Sequence, residues 1–234
     1  MNCKFKKLFL VNKPIIGMIH LAGDGLNEKT IRALSELELY QEEGIDGAII
    51  EDYHATGVDL VTVLGEISKR EWRIKLGVNW LNNPYGVFEL ANNYGASFVQ
   101  LDSVQGTKDR YISQRKEFSD LVVLGGVGFK YQPDSGKTLR EDIEEGKPRC
   151  DAVVTTGEGT GIETPIKKLK KFRVLLRDYP LISGAGVNLS NIYEQLQIAD
   201  SVIIGSYFKP EKNTHLSVDR IKVHDFMSVV RKLR

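Results

Sequence analysis

Short apolar runs alternate with amphipathic segments along this chain from one end to the other. Eight runs read as strands: 15–20, 47–52, 74–80, 97–101, 121–129, 152–156, 181–185 and 201–205. Val202-Ile203-Ile204 shows no polar alternation, which predicts a strand buried on both faces, as in a parallel sheet. Between the runs the period changes. Ile31, Leu34 and Leu37 recur at three-residue spacing in 30–43, the mark of one helical face. The same spacing places Ile166, Leu169 and Phe172 on one face of 165–178, and Ile221, Phe226, Val229 and Leu233 repeat the helical pattern over 218–233. Pro84 and Pro165 stand where the first turn of a helix accepts proline. Strands alternating with helices imply a parallel α/β sheet with the helices outside. Eight such units favour a single closed (β/α)8 barrel of TIM type over an open doubly wound sheet. No linker or composition shift interrupts residues 1–234, so one domain is expected.

An open nucleotide-binding sheet would carry GxGxxG after its first strand. Here that loop reads His20-Leu21-Ala22-Gly23-Asp24-Gly25-Leu26, without the spacing, and no GxxxxGK[ST] segment occurs anywhere. Glycines gather instead in Ser183-Gly184-Ala185-Gly186 and Gly205-Ser206, each at the end of an apolar run. Glycine there lets the backbone come close to a ligand, and the amides can point at an anion. Two such loops in succession match the phosphate site after strands 7 and 8 of a barrel. Ser183, Gly184, Gly186, Gly205 and Ser206 are therefore the expected phosphate-binding residues. Gly184→Ala is expected to be milder than Gly205→Asp.

Barrel active sites lie at the C-terminal strand ends. Those ends carry His20, Glu51 with Asp52, Asn79, Asp102, Lys130, Thr155 with Thr156, Ser183 and Ser206. Glu51 or Asp102 can serve as a base, or can be a buried partner of Lys130. His20 can act as acid or orienting group, or simply cap its strand. Lys130 can form a Schiff base or anchor an anionic intermediate, or be an exposed loop lysine. Asn79, Thr155, Thr156 and Glu158 are the expected substrate contacts. The loop Gly157-Glu158-Gly159-Thr160-Gly161 can close over a ligand or be a turn. Lys167, Lys168, Lys170, Lys171 and Arg173 read as a solvated helix face, and His54, His215 and His224 as structural or surface residues.

Composition narrows the partners. With 234 residues, 41% hydrophobic and 27% charged, the chain has the size and balance of one soluble barrel. Thirty-two basic against 31 acidic residues leave +1, which supplies no general field toward nucleic acid or membrane. The N-terminal apolar run is too short for a signal peptide, and no segment approaches a membrane span. Cys3 and Cys150 fit a reduced cytoplasmic protein better than a disulfide scaffold. No resident cofactor is expected, although His20, Glu51 and Asp102 could offer hard ligands to Mg²⁺. A homo-oligomer is compatible with all of this.

The segments Lys13-Pro14-Ile15-Ile16-Gly17-Met18-Ile19-His20-Leu21, Gly44-Ile45-Asp46-Gly47-Ala48-Ile49-Ile50-Glu51 and Leu76-Gly77-Val78-Asn79 form a recognisable set. Asp151-Ala152-Val153-Val154-Thr155-Thr156-Gly157 and the late glycine motifs complete it. Together they resemble the BtpA/SgcQ family over nearly the whole chain. The resemblance implies a TIM-type barrel, a name tied to photosystem I biogenesis in photosynthetic organisms, and relatives that look like enzymes of sugar or nucleotide metabolism. The chain departs from the pattern at Ala22-Gly23-Asp24-Gly25, where the family carries an LPG-type loop, and at Asp52-Tyr53-His54, where it carries Asn-Phe-Gly. The expected function is an isomerase, epimerase or lyase acting on a phosphorylated sugar or nucleotide. The alternatives are a non-catalytic assembly or regulatory factor with a vestigial phosphate site, and a Mg²⁺-dependent phosphohydrolase.

Overall fold

The computed structural model describes residues 3–106 and 109–234. Eight parallel strands close into a barrel in chain order: β1 (Ile15–His20), β2 (Gly47–Glu51), β3 (Lys75–Asn79), β4 (Phe98–Leu101), β5 (Val122–Gly126), β6 (Ala152–Thr155), β7 (Leu181–Ser183) and β8 (Ser201–Ile204). Closure is made by β1 against β8, with Ile15, Ile16 and Gly17 opposite Val202, Ile203 and Ile204. The helices are α1 (Lys4–Leu8), α2 (Leu26–Glu43), α3 (Gly57–Ile67), α4 (Val87–Asn93), α5 (Asp109–Glu117), α6 (Leu139–Gly146), α7 (Ile166–Leu176), α8 (Ile192–Ile198) and α9 (Arg220–Leu233).

Side chains alternate between two cores, as the strand period of two requires. Ile16, Met18, Ile49, Phe98, Leu124, Val154, Ile182 and Ile203 fill the barrel interior, which Phe5 of α1 and the following Phe9 join. Ile15, Ile19, Ala48, Ile50, Val99, Val123, Val153, Leu181 and Val202 belong to the outer core beneath the helices. Two residues further along each interior row lies the topmost layer. It consists of His20, Glu51, Asn79 and Gln100 from β1–β4, then Gly126, Thr156, Gly184 and Gly205 from the β5–β8 half. One half of the mouth is polar and the other is built from small residues.

Several boundaries differ from the sequence reading. The run 121–129 is strand only to Gly126, because Gly128 turns the chain with φ of 56°. The runs 152–156, 181–185 and 201–205 also stop short, at Thr155, Ser183 and Ile204. Helix α2 starts four residues before position 30, at Leu26. Helix α9 starts at Arg220 rather than 218, because the Asp219 side chain accepts from Ile221 N at 2.9 Å and Lys222 N at 3.4 Å. Such a cap satisfies amides that otherwise lack an acceptor. Pro165 is the N-cap of α7, whereas Pro84 lies in a turn ahead of α4, where Asn83 accepts from Gly86 N at 3.0 Å. The basic face of α7 is not wholly solvated. Lys168 turns inward to the carbonyls of Gly128 and Thr156, at 2.6 and 2.7 Å, and Arg173 pairs with Asp200 at 2.6 Å. No helix among the described residues is long and apolar enough to cross a membrane.

Candidate functional site

The top interior layer places a connected acid–base network under the mouth. Asn79 Nδ2 donates to Glu51 Oε1 at 2.8 Å and to Asp102 Oδ1 at 3.1 Å, using both of its hydrogens. Gln100 Nε2 donates to the same Asp102 oxygen at 3.3 Å. Glu51 Oε2 stands 3.7 Å from His20 Nε2, too far for a formed hydrogen bond but near enough for one intervening ligand atom to relay a proton. Asp102 follows β4 directly, and its backbone occupies the space that a side chain at Gly126 would fill. Asp52 faces away and accepts from Leu81 N at 2.9 Å.

Burial sets the protonation of these groups. Glu51 is pushed up to about 8, first by desolvation and then by the neighbouring Asp102 charge, with Lys130 and Asn79 opposing. Asp102 is also raised by burial, with Asn79, Lys130 and Gln100 opposing. His20 is held well below its usual value by burial, then by the positive charges of Lys209 and Lys130. His20 and Glu51 therefore lie within ion-pair range yet face each other as neutral imidazole and neutral acid near pH 7. A neutral acid beside a neutral base is poised to move a proton in either direction.

Lys130 lies in the loop beyond β5 rather than on the strand. Its amide donates to Thr156 Oγ1 at 2.6 Å and its ammonium to Thr160 Oγ1 at 2.8 Å. Tyr53 OH bonds the same Thr160 hydroxyl at 3.0 Å, and Tyr131 OH accepts from Thr160 N at 2.9 Å. Loops after β2, β5 and β6 thus meet at one threonine above the mouth. Tyr53 also packs edge-on against His20, with ring centroids 4.9 Å apart.

Below this clasp is a cavity of about 170 Å³, with His20, Glu51, Gln100, Asp102 and Lys130 on one side and Gly184, Ala185, Gly186, Gly205 and Ser206 on the other. A larger groove of about 580 Å³ lies at the opposite end of the barrel beside Lys4, Lys7, Asn92 and Asp120. The acid–base network lines the smaller cavity, which is therefore the candidate site. Among the described residues, no backbone or side-chain acceptor takes the amide hydrogens of Ala185 and Gly186. The first amides of the 3-10 turn Ser206–Phe208 lack intrahelical acceptors by geometry. No group of three or more His, Cys, Asp or Glu side chains among the described residues is arranged to hold a metal ion.

Other expected contacts stand elsewhere. Ser183 and Thr155 have outward parity: Ser183 Oγ donates to Gln195 at 2.7 Å and Thr155 Oγ1 to Gly128 O at 3.3 Å. Thr156 holds the Lys130 backbone and its own loop, and Glu158 is exposed at the loop rim. Asn79 is the bridge beneath the cavity rather than part of its wall.

Sequence reasoning passed over Gln100, Tyr53 and Lys209. Gln100 was legible, because it lies two residues after the interior Phe98. Lys209 carried no local signal. It is fully buried behind the Gly205-Ser206 loop, with Nζ 3.2 Å from Glu36 Oε1 and 3.0 Å from Leu216 O. The same Glu36 oxygen accepts from Arg32 Nε and Val218 N, both at 2.9 Å. Two cations share one carboxylate, so excess positive charge lies behind the glycine loops. His54, expected to be structural, stacks on His215 with centroids 3.6 Å apart.

The profile of the BtpA family matches residues 11–232. An uncharacterized protein of Methanocaldococcus jannaschii is 27% identical, covering 95% of this chain and 97% of its own. The photosystem I biogenesis protein BtpA of Synechocystis sp. is 23% identical over 95% and 89% of the two chains. The sgc region protein SgcQ of Escherichia coli is 25% identical over 98% of each. Among solved structures, phosphoribosyl anthranilate isomerase from Thermus thermophilus superposes with a TM-score of 0.66 at 14% identity, over 94% of this chain and 100% of that one. Tryptophan synthase subunit alpha from Legionella pneumophila gives 0.63 at 13% identity, over 99% of each. At such identities the likeness to both structures concerns the fold.

Proposed function

The chain belongs to the BtpA family, and we propose that it is an enzyme acting on a phosphorylated small molecule held across the barrel mouth. The reaction is a proton transfer next to a carbonyl or hemiacetal carbon, as in an isomerase, epimerase or lyase. The observation that carries this reading is the pairing of buried Glu51, pushed up to about 8, with neutral His20 in a cavity whose other wall is glycine backbone. A merely structural carboxyl is seldom buried without a cation or a full set of donors. Glu51 is the acid. Asp102, which accepts two amide hydrogens, or His20 is the base. Lys130 supplies positive charge where an oxyanion develops. The phosphate lies against the amides of Ala185, Gly186 and Ser206, favoured by the cations Lys209 and Arg32 behind them.

Calorimetric titration of the intact protein with inorganic phosphate tests the anion site. Ser206→Asp places a carboxylate at that wall. Losing two charge-assisted hydrogen bonds, at about 1.5–3 kcal/mol each, weakens binding roughly 100-fold or more. Unchanged phosphate affinity in folded Ser206→Asp would remove the site. Lys130→Met tests the other half, because the Lys130 charge lowers the Glu51 pKa. The midpoint of Glu51, followed through its protonated carbonyl band in the infrared, should rise above about 8 in that variant. A midpoint that stays in place means that Lys130 does not act on Glu51.

A further inference from the structure

Building on the phosphate reading, we infer that the rest of the ligand is a small polyol, a sugar backbone that presents hydroxyl hydrogens, and neither a nucleotide nor a phosphorylated carboxylate. Gln100 is the residue that reads it. Its side chain is 4% exposed and lines the cavity, with Nε2 committed to Asp102 Oδ1 at 3.3 Å. That oxygen also accepts from Asn79 at 3.1 Å, so a flipped Gln100 amide would set oxygen against oxygen. The orientation is thereby settled, and Oε1 is left buried with no partner among the described residues. His20 Nδ1 is unpartnered in the same way.

Much of the donor capacity of this floor is spent within it, leaving the second Gln100 hydrogen and the neutral Glu51 carboxyl. Both Asn79 hydrogens go to Glu51 and Asp102, and Gln100 gives one to Asp102. Beside these the floor offers a ligand two acceptors, Gln100 Oε1 and the Asp102 carboxylate. A ligand group meeting them must donate. A hydroxyl does so and can also accept from Glu51, whereas a carboxylate set against Gln100 and Asp102 meets acceptors and a like charge, the Lys130 ammonium being tied to Thr160 in the roof.

Size selects further. The cavity of about 170 Å³ is smaller than the roughly 300–1,000 Å³ of pockets for drug-sized ligands. Its roof is the Thr160 clasp, closed by Tyr53, Lys130 and Tyr131. A sugar chain or ring of a few carbons fits beneath it, while a nucleobase attached to that sugar would have to break the clasp.

The test is calorimetry on the intact chain with inorganic phosphate, ribose 5-phosphate, 3-phosphoglycerate and adenosine monophosphate as probes. Ribose 5-phosphate should bind at least about tenfold tighter than inorganic phosphate, the worth of one added hydrogen bond of about 1.4 kcal/mol. The other two should gain nothing over inorganic phosphate. In Gln100→Leu the tenfold advantage of ribose 5-phosphate should disappear. If neither phosphate nor any phosphorylated probe binds, the phosphate reading falls, and this inference with it. If phosphate binds but ribose 5-phosphate gains nothing, the polyol inference alone falls. It falls equally if the nucleotide or the carboxylate matches ribose 5-phosphate. These comparisons hold on the wild type, whatever the folding of the variant. An advantage retained in well-folded Gln100→Leu removes Gln100 as the reader.

Discussion

Glu51→Gln is expected to make the protein more stable above neutral pH while removing its turnover. The Glu51 carboxyl is raised from 4.5 to about 8 in the folded chain. Between those values the folded state holds a proton that the unfolded state has released. Its contribution to stability is therefore complete below about 4.5, declines by up to about 1.4 kcal/mol per pH unit, and is gone above about 8. Glutamine has the same shape, stays neutral and keeps the acceptor that Asn79 uses. The melting temperature of the variant should match wild type near pH 4.5, rise above it through the window, and hold a constant lead beyond pH 8. Parallel melting curves across that range would show that Glu51 titrates normally. The infrared band of a protonated carboxyl at pH 7 should be present in wild type and missing in the variant. Once a substrate is in hand, losing this acid should cost roughly 10²- to 10⁴-fold in turnover.

Gly205→Ala should damage the site from the opposite wall. A Cβ at this position stands 2.5 Å from His20 Cε1 and 3.1 Å from Met18 Cβ. The imidazole has to move, and overpacking of this kind costs about 1–3 kcal/mol. For a chain of this size that is a fall of several degrees in melting temperature. The His20 ring signals in nitrogen-15 spectra should shift with it, because the imidazole loses its station beside Glu51. Gly184→Ala is the comparison. There a Cβ meets Val154 Cγ1 at 2.8 Å and Thr156 Cγ2 at 3.0 Å, so this substitution overpacks as well. It does not touch His20, and the ring signals should stay where they are. Wild-type stability and unmoved His20 signals in Gly205→Ala would contradict the packing of the top interior layer.

The late glycine loops show both the reach and the limit of a local pattern. Gly184, Gly186, Gly205 and Ser206 line one wall of the cavity. Ser183 is their neighbour along the chain, yet adjacency in a strand means opposite faces. Counting from the interior Ile182 would have sent Ser183 outward to Gln195, and counting from Phe98 would have brought Gln100 in. Lys130 was placed at a strand end because its apolar run is long, but the backbone turn at Gly128 carries it into a loop. There it serves the clasp on Thr160 as well as the network below.

Eight strands, their parallel order and the strand-end positions of His20 and Glu51 were determined by the sequence alone. Such features depend on periods of two and three to four residues, which neighbours along the chain express directly. Three properties of the site were decided only by the tertiary structure: the raised Glu51, the depressed His20 and the buried Lys209–Glu36–Arg32 cluster. Each requires barrel closure, which brings β8 beside β1 and α9 over α2 from the far end of the chain. Desolvation and charge coupling act through distance and dielectric, and neither quantity exists until the barrel has closed.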